Sequence, residues 1–354
     1  MVTNESRTNG AILVTTLALL FLADRLILAI IGLPLWMPDM ENHYRHRPNT
    51  VRSWGEMYDY KLIRTNQYGH HDHDFPLQKS ANEFRVLILG DSITMGHGVT
   101  REETYANQLE HELAQTPGQY EIIQVINTGV QGYSTFQELN ELKRSLKFKP
   151  DLVAIGFCMN DVQEPLMINR EFGGAGIDYH GVTQAYNLVL AYLLNETGYG
   201  RLLQKLRERP EQADWCRGQE IKDVKAMVAK PWDNIDSTKG WDLVLKSLTE
   251  IYQIADQNRL KVVLLIFPHT FQLMHPEMQY PQQKLTEHAI QHKIDFIDFT
   301  TYFEELTAGN EQLVKRYFLD LDHYTPEGHR LVATRINRYL KKTGQGPWAA
   351  ESKK

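Results

Sequence analysis

From residue 85 onward the chain alternates short aliphatic runs with longer segments of helical spacing. Val86 to Leu89, Glu121 to Ile126, Asp151 to Phe157, Lys261 to Phe267 and Asp295 to Phe299 read as buried strands, each mostly aliphatic and bounded by turn residues. Helical periodicity covers residues near 104–115, 135–147, 239–258 and 281–292, and a last helix follows Pro326. This alternation predicts a five-stranded parallel sheet with helices on both faces, because each helix must bury an apolar stripe against the sheet. The third crossover is oversized. It runs from Val162 to about Ser237 and carries an apolar helix at Tyr186 to Leu194, continued by Leu202, Leu203 and Leu206. Insertions of this length beside a crevice commonly form lids or binding walls. Trp215, Trp232, Tyr186, Tyr192 and Tyr199 add aromatic faces that suit sugar rings. The expectation is an insertion that overhangs the crevice and selects substrate.

Ahead of this unit lies a different pattern. After a short tail at 1–10, residues 11–37 form one apolar tract of 27 residues interrupted by Asp24-Arg25. Roughly 20 such residues span a bilayer as a helix, so a tilted, single-pass transmembrane anchor is predicted. A cleaved signal peptide competes with it, but no small-x-small site follows the tract and Arg7 is the one basic residue before it. A buried core helix also competes, although the tract precedes a complete domain. Residues 38–84 read as a polar linker approaching the domain, with a short strand at Tyr60 to Arg64. Within it, His70-His71-Asp72-His73-Asp74 has metal-ligand chemistry, yet consecutive residues rarely converge on one ion, so a solvated loop is expected there. The domain itself is placed at 85–342, with a C-terminal tail at 343–354.

Composition narrows the partners. A 354-residue chain with 42% hydrophobic and 23% charged residues buries a substantial core. A net charge of −6 and the lack of a long Lys/Arg run exclude a nucleic-acid footprint. Cys158 and Cys216 provide neither a disulfide framework nor a zinc spacing. Arg45, Arg47 and Arg52 follow the span, so positive-inside counting favours a cytoplasmic C-terminal side.

The chemistry concentrates at strand ends. Gly90-Asp91-Ser92 breaks the first strand sharply, which puts Ser92 at the carboxyl edge of the sheet, where reacting groups collect. A serine there is inert without a base to take its proton and donors to receive an oxyanion. Near the C-terminus, Phe318-Leu319-Asp320-Leu321-Asp322-His323-Tyr324-Thr325-Pro326 supplies the base. Three positions apart on one loop, Asp320 can turn back to His323 Nδ1 and leave Nε2 facing a serine. Asp322 adjoins His323 and is expected to point away. Thr325 and Pro326 suit an N-cap and first helical position, and His329 falls inside the helix as a surface or packing residue. After the second strand comes Asn127-Thr128-Gly129-Val130-Gln131-Gly132-Tyr133, and after the third Phe157-Cys158-Met159-Asn160-Asp161. Gly132 would let a backbone N–H approach a carbonyl, and the Asn160 amide offers a second donor.

In this order, each at a strand's end, these segments resemble the four sequence blocks of the SGNH, or GDSL, hydrolase family over residues 85–342. The resemblance implies a flavodoxin-like three-layer α/β/α fold, with Ser92 as nucleophile, His323 as base and Asp320 as its orienting partner. It makes the Ser92 N–H, the Gly132 N–H and the Asn160 side chain the oxyanion hole. One departure stands in the third block, where Cys158 occupies a position commonly held by glycine; a small cysteine fits if no positive φ is needed. The stretch Asn66 to Gly69 also resembles one in membrane-anchored relatives linked to surface polysaccharides. The function expected is a serine esterase acting on an acylated, chiefly O-acetylated, cell-surface carbohydrate, needing no metal or organic cofactor, with its catalytic domain outside the cytoplasm. An O-acyltransferase using the same residues, a lipid esterase and a non-catalytic carbohydrate-binding module are the alternatives; acyl group, acceptor and oligomeric state are not specified by the sequence.

Overall fold

The apolar tract folds as helix α1 (Asn4–Ile31) and stops there. Gly32 takes a left-handed φ of +80°, its N–H closing on the Leu28 carbonyl at 2.7 Å, and Pro34 follows. Such a pair ends a helix, so the helix stops six residues before the end of the expected 11–37 anchor. The stretch long and apolar enough to cross a membrane is Asn9–Ile31. Leu35 already belongs to the globular core, packed with Ile63 and Met95. The computed structural model describes residues 4–162, 182–207 and 235–348; Trp215, Cys216 and Trp232 fall outside them.

Residues 36–75 are more ordered than their sequence suggests. β1 (Trp36–Asp39) pairs antiparallel with β2 (His43–His46), and β3 (Val51–Ser53) with β4 (Leu62–Arg64). The expected short strand is thus present, while its partners, three or four residues each, are too short for alternation to register. The solvated loop expected at 70–74 is not found: His70, His71 and Asp72 are buried. Asn66 organises the turn before them. Its side-chain oxygen accepts from the Tyr68 and His70 N–H groups at 2.9 and 3.1 Å, and its amide donates to the His73 carbonyl at 2.9 Å. This is an Asx-type nucleus for a loop that then points its histidines inward.

The central sheet comprises β5 (Glu83–Gly90), β6 (Ile122–Asn127), β7 (Leu152–Phe157), β8 (Lys261–Ile266) and β9 (Asp295–Asp298), all parallel, in the order β6-β5-β7-β8-β9. All eight residues of β5 are buried, as a strand covered on both faces requires. The described helices are α2 (Ser92–Met95), α3 (Tyr105–Ala114), α4 (Thr135–Ser145), α5 (Val182–Glu196), α6 (Gly198–Arg207), α7 (Ile235–Gln257), α8 (Tyr280–Gln291), α9 (Phe299–Thr307), α10 (Glu311–Tyr317) and α11 (Pro326–Thr343). Val86 and Ile88 face α3, α9 and α11, while Leu87 and Leu89 face α4, α7 and α8. The result is the three-layer α/β/α sandwich with helices on both faces. Its switch point lies between β5 and β7, the crevice at which such sheets bind ligands. Helices α9 and α10 were not anticipated; at nine and seven residues their marks were caps, Asp298 and Asn310 accepting from the first-turn N–H groups.

One buried cation ties the approach segment to the sheet. Arg85 is fully buried, donating to Glu83 at 2.6 Å and to the Phe148 and Pro76 carbonyls at 2.9 and 2.8 Å. Removing one partner of such a pair strands the other in low dielectric, so Arg85→Ala should cost about 3–5 kcal/mol in chemical unfolding of the purified chain. A loss below about 1 kcal/mol, the range of an exposed pair, would show that Glu83 reaches water.

Candidate active site

Ser92 owes its position to three neighbours. Gly90 passes so close to Thr94 that a Cβ would collide with its Oγ1 and would sit tight against the Gly156 carbonyl, which lets β5 end abruptly. Asp91 caps α2, its carboxylate accepting from the Ile93 N–H at 2.9 Å. Thr94 hydrogen-bonds the Tyr105 hydroxyl at 2.7 Å, fixing the short helix against α3. Ser92 is therefore the first residue of α2, where backbone N–H groups have no intrahelical partner.

The histidine arrives from the other end of the chain. A bridge between Phe318 and Tyr324 closes the loop that carries it, and Thr325 caps α11 by accepting from the Gly328 N–H at 3.1 Å. Inside the loop Asp320 accepts from the His323 N–H at 3.0 Å and from His323 Nδ1 at 2.8 Å. His323 Nε2 then lies 2.9 Å from Ser92 Oγ. The three residues form one hydrogen-bonded chain in the order a serine nucleophile requires. Asp322 does not point away as expected: its Oδ1 is 3.5 Å from His323 Nδ1, and its Oδ2 is 3.9 Å from His269 Nε2. Packing against His269 turns it inward.

Charge follows from this arrangement. Burial by itself would lower the His323 pKa, but the Asp322 and Asp320 carboxylates reverse the sign and hold it above the ordinary 6.5. Burial raises Asp320, and the facing imidazolium and hydrogen bonds from His323 overcome that and keep it ionised. Asp91, fully enclosed, is raised by burial. His269 is lowered to about 3 by burial and then by His323, so it stays neutral beside Asp322.

The two expected donors lie in the loops that follow β6 and β7. Val130 N–H donates to the Gly90 carbonyl at 3.1 Å, and Gly132 follows two residues on with a left-handed φ of +71°. Asn160, in the turn after β7, interacts through its side chain with the Asp91 carboxylate; its own Oδ1 is buried without a hydrogen-bond partner among the described residues. Cys158 is buried and is not among the residues with positive φ, so the departure from glycine is accommodated, with Sγ 3.8 Å from His269 Nδ1. Cys158, His269 and Asp322 have metal-ligand chemistry, one donor atom of each lying within 4.8 Å of the others.

Several supporting residues were not anticipated in this role from the sequence. His97 stacks on His323, ring centroids 4.4 Å apart, and meets the Tyr58 hydroxyl at 3.0 Å. His71 Nδ1 hydrogen-bonds the Met95 carbonyl at 2.9 Å, and Asp72 accepts from the Asn127 N–H at 3.0 Å. Tyr44 donates to the Gln131 carbonyl at 2.7 Å and accepts at its own carbonyl from the Tyr133 hydroxyl at 2.8 Å. The supposed linker thus braces both the serine helix and the Gly132 loop. A His beside GDS at Gly96-His97-Gly98 was the available hint for His97.

Together the fold and the site set a hydrogen-bonded chain of Ser92, His323 and Asp320 at the edge of a three-layer α/β/α sheet. The chain belongs to the GDSL-like Lipase/Acylhydrolase family, whose model matches residues 88–331, and that family is hydrolytic. Similar solved structures include a lipase/acylhydrolase from Enterococcus faecalis, with 16% identity over 73% of this chain and 96% of that one and a TM-score of 0.42. Others are an acetyl xylan esterase, AlAXEase, at 17% identity over 73% and 100% with a TM-score of 0.43, and a member of the lipolytic protein G-D-S-L family from Veillonella parvula DSM 2008, at 15% over 73% and 98% with 0.40. No curated protein matches the chain.

Beneath the serine, Glu138 and Asp161 are buried carboxyls whose pKa values are raised by desolvation, and then by Asp91 and, for Asp161, by Glu138. Neither Glu138 oxygen has a hydrogen-bond partner among the described residues. A carboxyl with a raised folded-state pKa binds its proton more tightly when folded, so its stabilising contribution is lost as pH rises above the unfolded value. Relative to wild type, Glu138→Gln should therefore gain stability between about pH 5 and pH 8 in urea unfolding. An opposite trend would mean that Glu138 is ionised against a positive charge.

Proposed function

We propose that this protein is a membrane-anchored serine esterase that removes acyl groups, chiefly O-acetyl groups, from a carbohydrate at the cell surface. The observation that carries the reading is the unbroken chain from Ser92 Oγ to His323 Nε2 at 2.9 Å and from His323 Nδ1 to Asp320 at 2.8 Å. Ser92 attacks the ester carbonyl while His323 takes its proton. The N–H groups of Ser92 and Gly132 and the Asn160 amide receive the oxyanion, the alcohol leaves with the proton from His323, and water releases the acyl group by the same route. No metal or organic cofactor enters this scheme.

A membrane-proximal substrate follows from the length of chain between anchor and site. Four residues after α1 ends, Leu35 packs against Met95 of the serine helix, and four extended residues reach at most about 14 Å. The resemblance of Asn66 to Gly69 to anchored relatives of surface polysaccharides supports the carbohydrate. The domain is placed outside the cytoplasm on the same ground, against the arginine count, and protease protection in intact cells against spheroplasts tests that side.

Ser92→Ala and His323→Ala should each lower aryl-ester hydrolysis by several orders of magnitude, and Ser92→Ala should abolish labelling by a fluorophosphonate. Near wild-type turnover of Ser92→Ala would remove Ser92 as the nucleophile. Asn160→Ala should lose roughly 10²–10³-fold in kcat, and an unchanged rate would leave the oxyanion to backbone donors. Labelling without release to water, but with transfer to a sugar hydroxyl, would make the enzyme an acyltransferase. Because His323 must be neutral to accept a proton and its pKa is raised, the rising limb of kcat/KM should lie above pH 6.5. Asp322→Asn removes the leading charge that raises it, so the limb should move to lower pH; a limb that stays or rises would assign the shift elsewhere.

A further inference from the structure

Helices α5 and α6 carry their polarity in reverse. Among the side chains described there, Val189, Tyr192, Leu193, Leu203 and Leu206 are exposed, Leu206 by 75%. The polar groups face one another instead. Arg201 donates to Gln204 at 2.6 Å, Gln204 to Asn195 at 3.3 Å, and Asn195 to the Ala191 carbonyl at 2.8 Å. A helical pair in water arranges these the other way round, with leucines inside. Such a surface suits a hydrocarbon solvent, in which polar groups must satisfy each other.

The pair is also docked on α1 at the one place where its apolar stretch, Asn9–Ile31, carries charge. Gly198 lies against the Asp24 carbonyl so closely that a Cβ would collide with it. The Tyr199 N–H, in the first turn of α6, donates to Asp24 Oδ1 at 3.0 Å, and the Tyr199 hydroxyl reaches the Leu20 carbonyl at 3.0 Å. Arg25 pairs with Asp24 and reaches the Glu196 carbonyl, and Glu196 pairs with Arg47. Asp24 is thus an N-terminal partner for α6 supplied by another helix, where an anion is favoured by the unpaired N–H groups and the dipole. Seven residues, about 10 Å of helix, separate Asp24 from the end of α1 at Ile31. If α1 spans the bilayer to Ile31, the start of α6 lies within it.

We propose that α5 and α6 are embedded in the lipid bilayer beside α1, forming with it one three-helix membrane unit. The inference rests on the reading of α1 as a membrane span. It explains the Asp24-Arg25 interruption as a docking point, and Lys205, exposed on α6, reaches the headgroups with its long stem. Tyr199, engaged by the α1 backbone, is then a packing residue and not a platform for sugar rings.

The test uses the full chain with Cys216→Ser, reconstituted in phosphatidylcholine vesicles, carrying an environment-sensitive fluorophore on a single introduced cysteine. Leu17→Cys reports α1, Leu206→Cys reports α6, and Ile290→Cys reports an exposed position on α8. Spin-labelled lipids should quench Leu206→Cys about as strongly as Leu17→Cys and several-fold more than Ile290→Cys, which aqueous iodide should quench instead. Lipid quenching at Leu17→Cys with iodide quenching at Leu206→Cys would overturn the proposal alone, and protection of Leu206→Cys from both quenchers would replace the bilayer by a protein partner and overturn it equally. Absence of lipid quenching at Leu17→Cys would overturn the anchor and this proposal together. Asp24→Ala should reduce lipid quenching at Leu206→Cys several-fold while Leu17→Cys stays quenched and Ser92 still reacts with a fluorophosphonate; unchanged quenching there would deny Asp24 its docking role.

Discussion

An imidazole held between a hydroxyl and a carboxylate is the constraint to which the remaining structure answers. Ser92 and His323 stand 231 positions apart and must meet at hydrogen-bond distance. Local turns cannot achieve that, so a chain of buried contacts joins the two ends. His329 in α11 accepts from the Tyr105 N–H at 3.2 Å and stacks on its ring, and the Tyr105 hydroxyl holds Thr94 in the serine helix at 2.7 Å. His329 is therefore a packing residue of consequence. Its burial lowers its pKa to about 3, so it remains a neutral acceptor while His323, six residues earlier, changes charge.

The same site concentrates negative charge where little water enters. Asp91, Glu138 and Asp161 are buried near one another and all have raised pKa values, first through desolvation. Were all of them ionised, mutual repulsion and desolvation would together oppose folding. Protonation resolves part of the conflict, and the His323 imidazolium offsets the rest by attraction to Asp320, Asp322 and Asp91. A histidine in that field is a stronger base than a free one but spends more of its time charged. Asp320 orients it, since it bonds both Nδ1 and the backbone N–H, whereas Asp322 acts on it mainly through charge at 3.5 Å.

What the sequence revealed and what it hid divide along physical lines. Buried parallel strands announce themselves because both faces must be apolar, which is why Val86 to Leu89 and Asp151 to Phe157 were readable. Asp320 and His323 were readable because their spacing on one loop already sets their geometry. Residues 38–84 were misjudged because their order comes from partners distant in sequence: Tyr44 on the Gln131 carbonyl, Asp72 on Asn127, His71 on Met95. A histidine-rich stretch with no local periodicity looks the same whether it is solvated or folded under another loop. Asp24-Arg25 was equally opaque, since a charge within an apolar tract signals either an interruption or a docking site, and the deciding partner is 175 residues away.

These braces place the site relative to the end of α1. Trp36, five residues beyond α1, packs with Tyr44, Val130 and Tyr133, and Tyr133 directly follows Gly132. Leu35 touches Met95 of the serine helix. Both walls of the crevice are therefore fixed to the chain as it leaves α1, with no flexible tether between them. A domain on a long linker can move independently of the helix before it; a site held this way cannot. Under the proposal that α1 spans a bilayer, the site would stay within a few residues' length of the bilayer surface, and the proposed ester would have to be presented there.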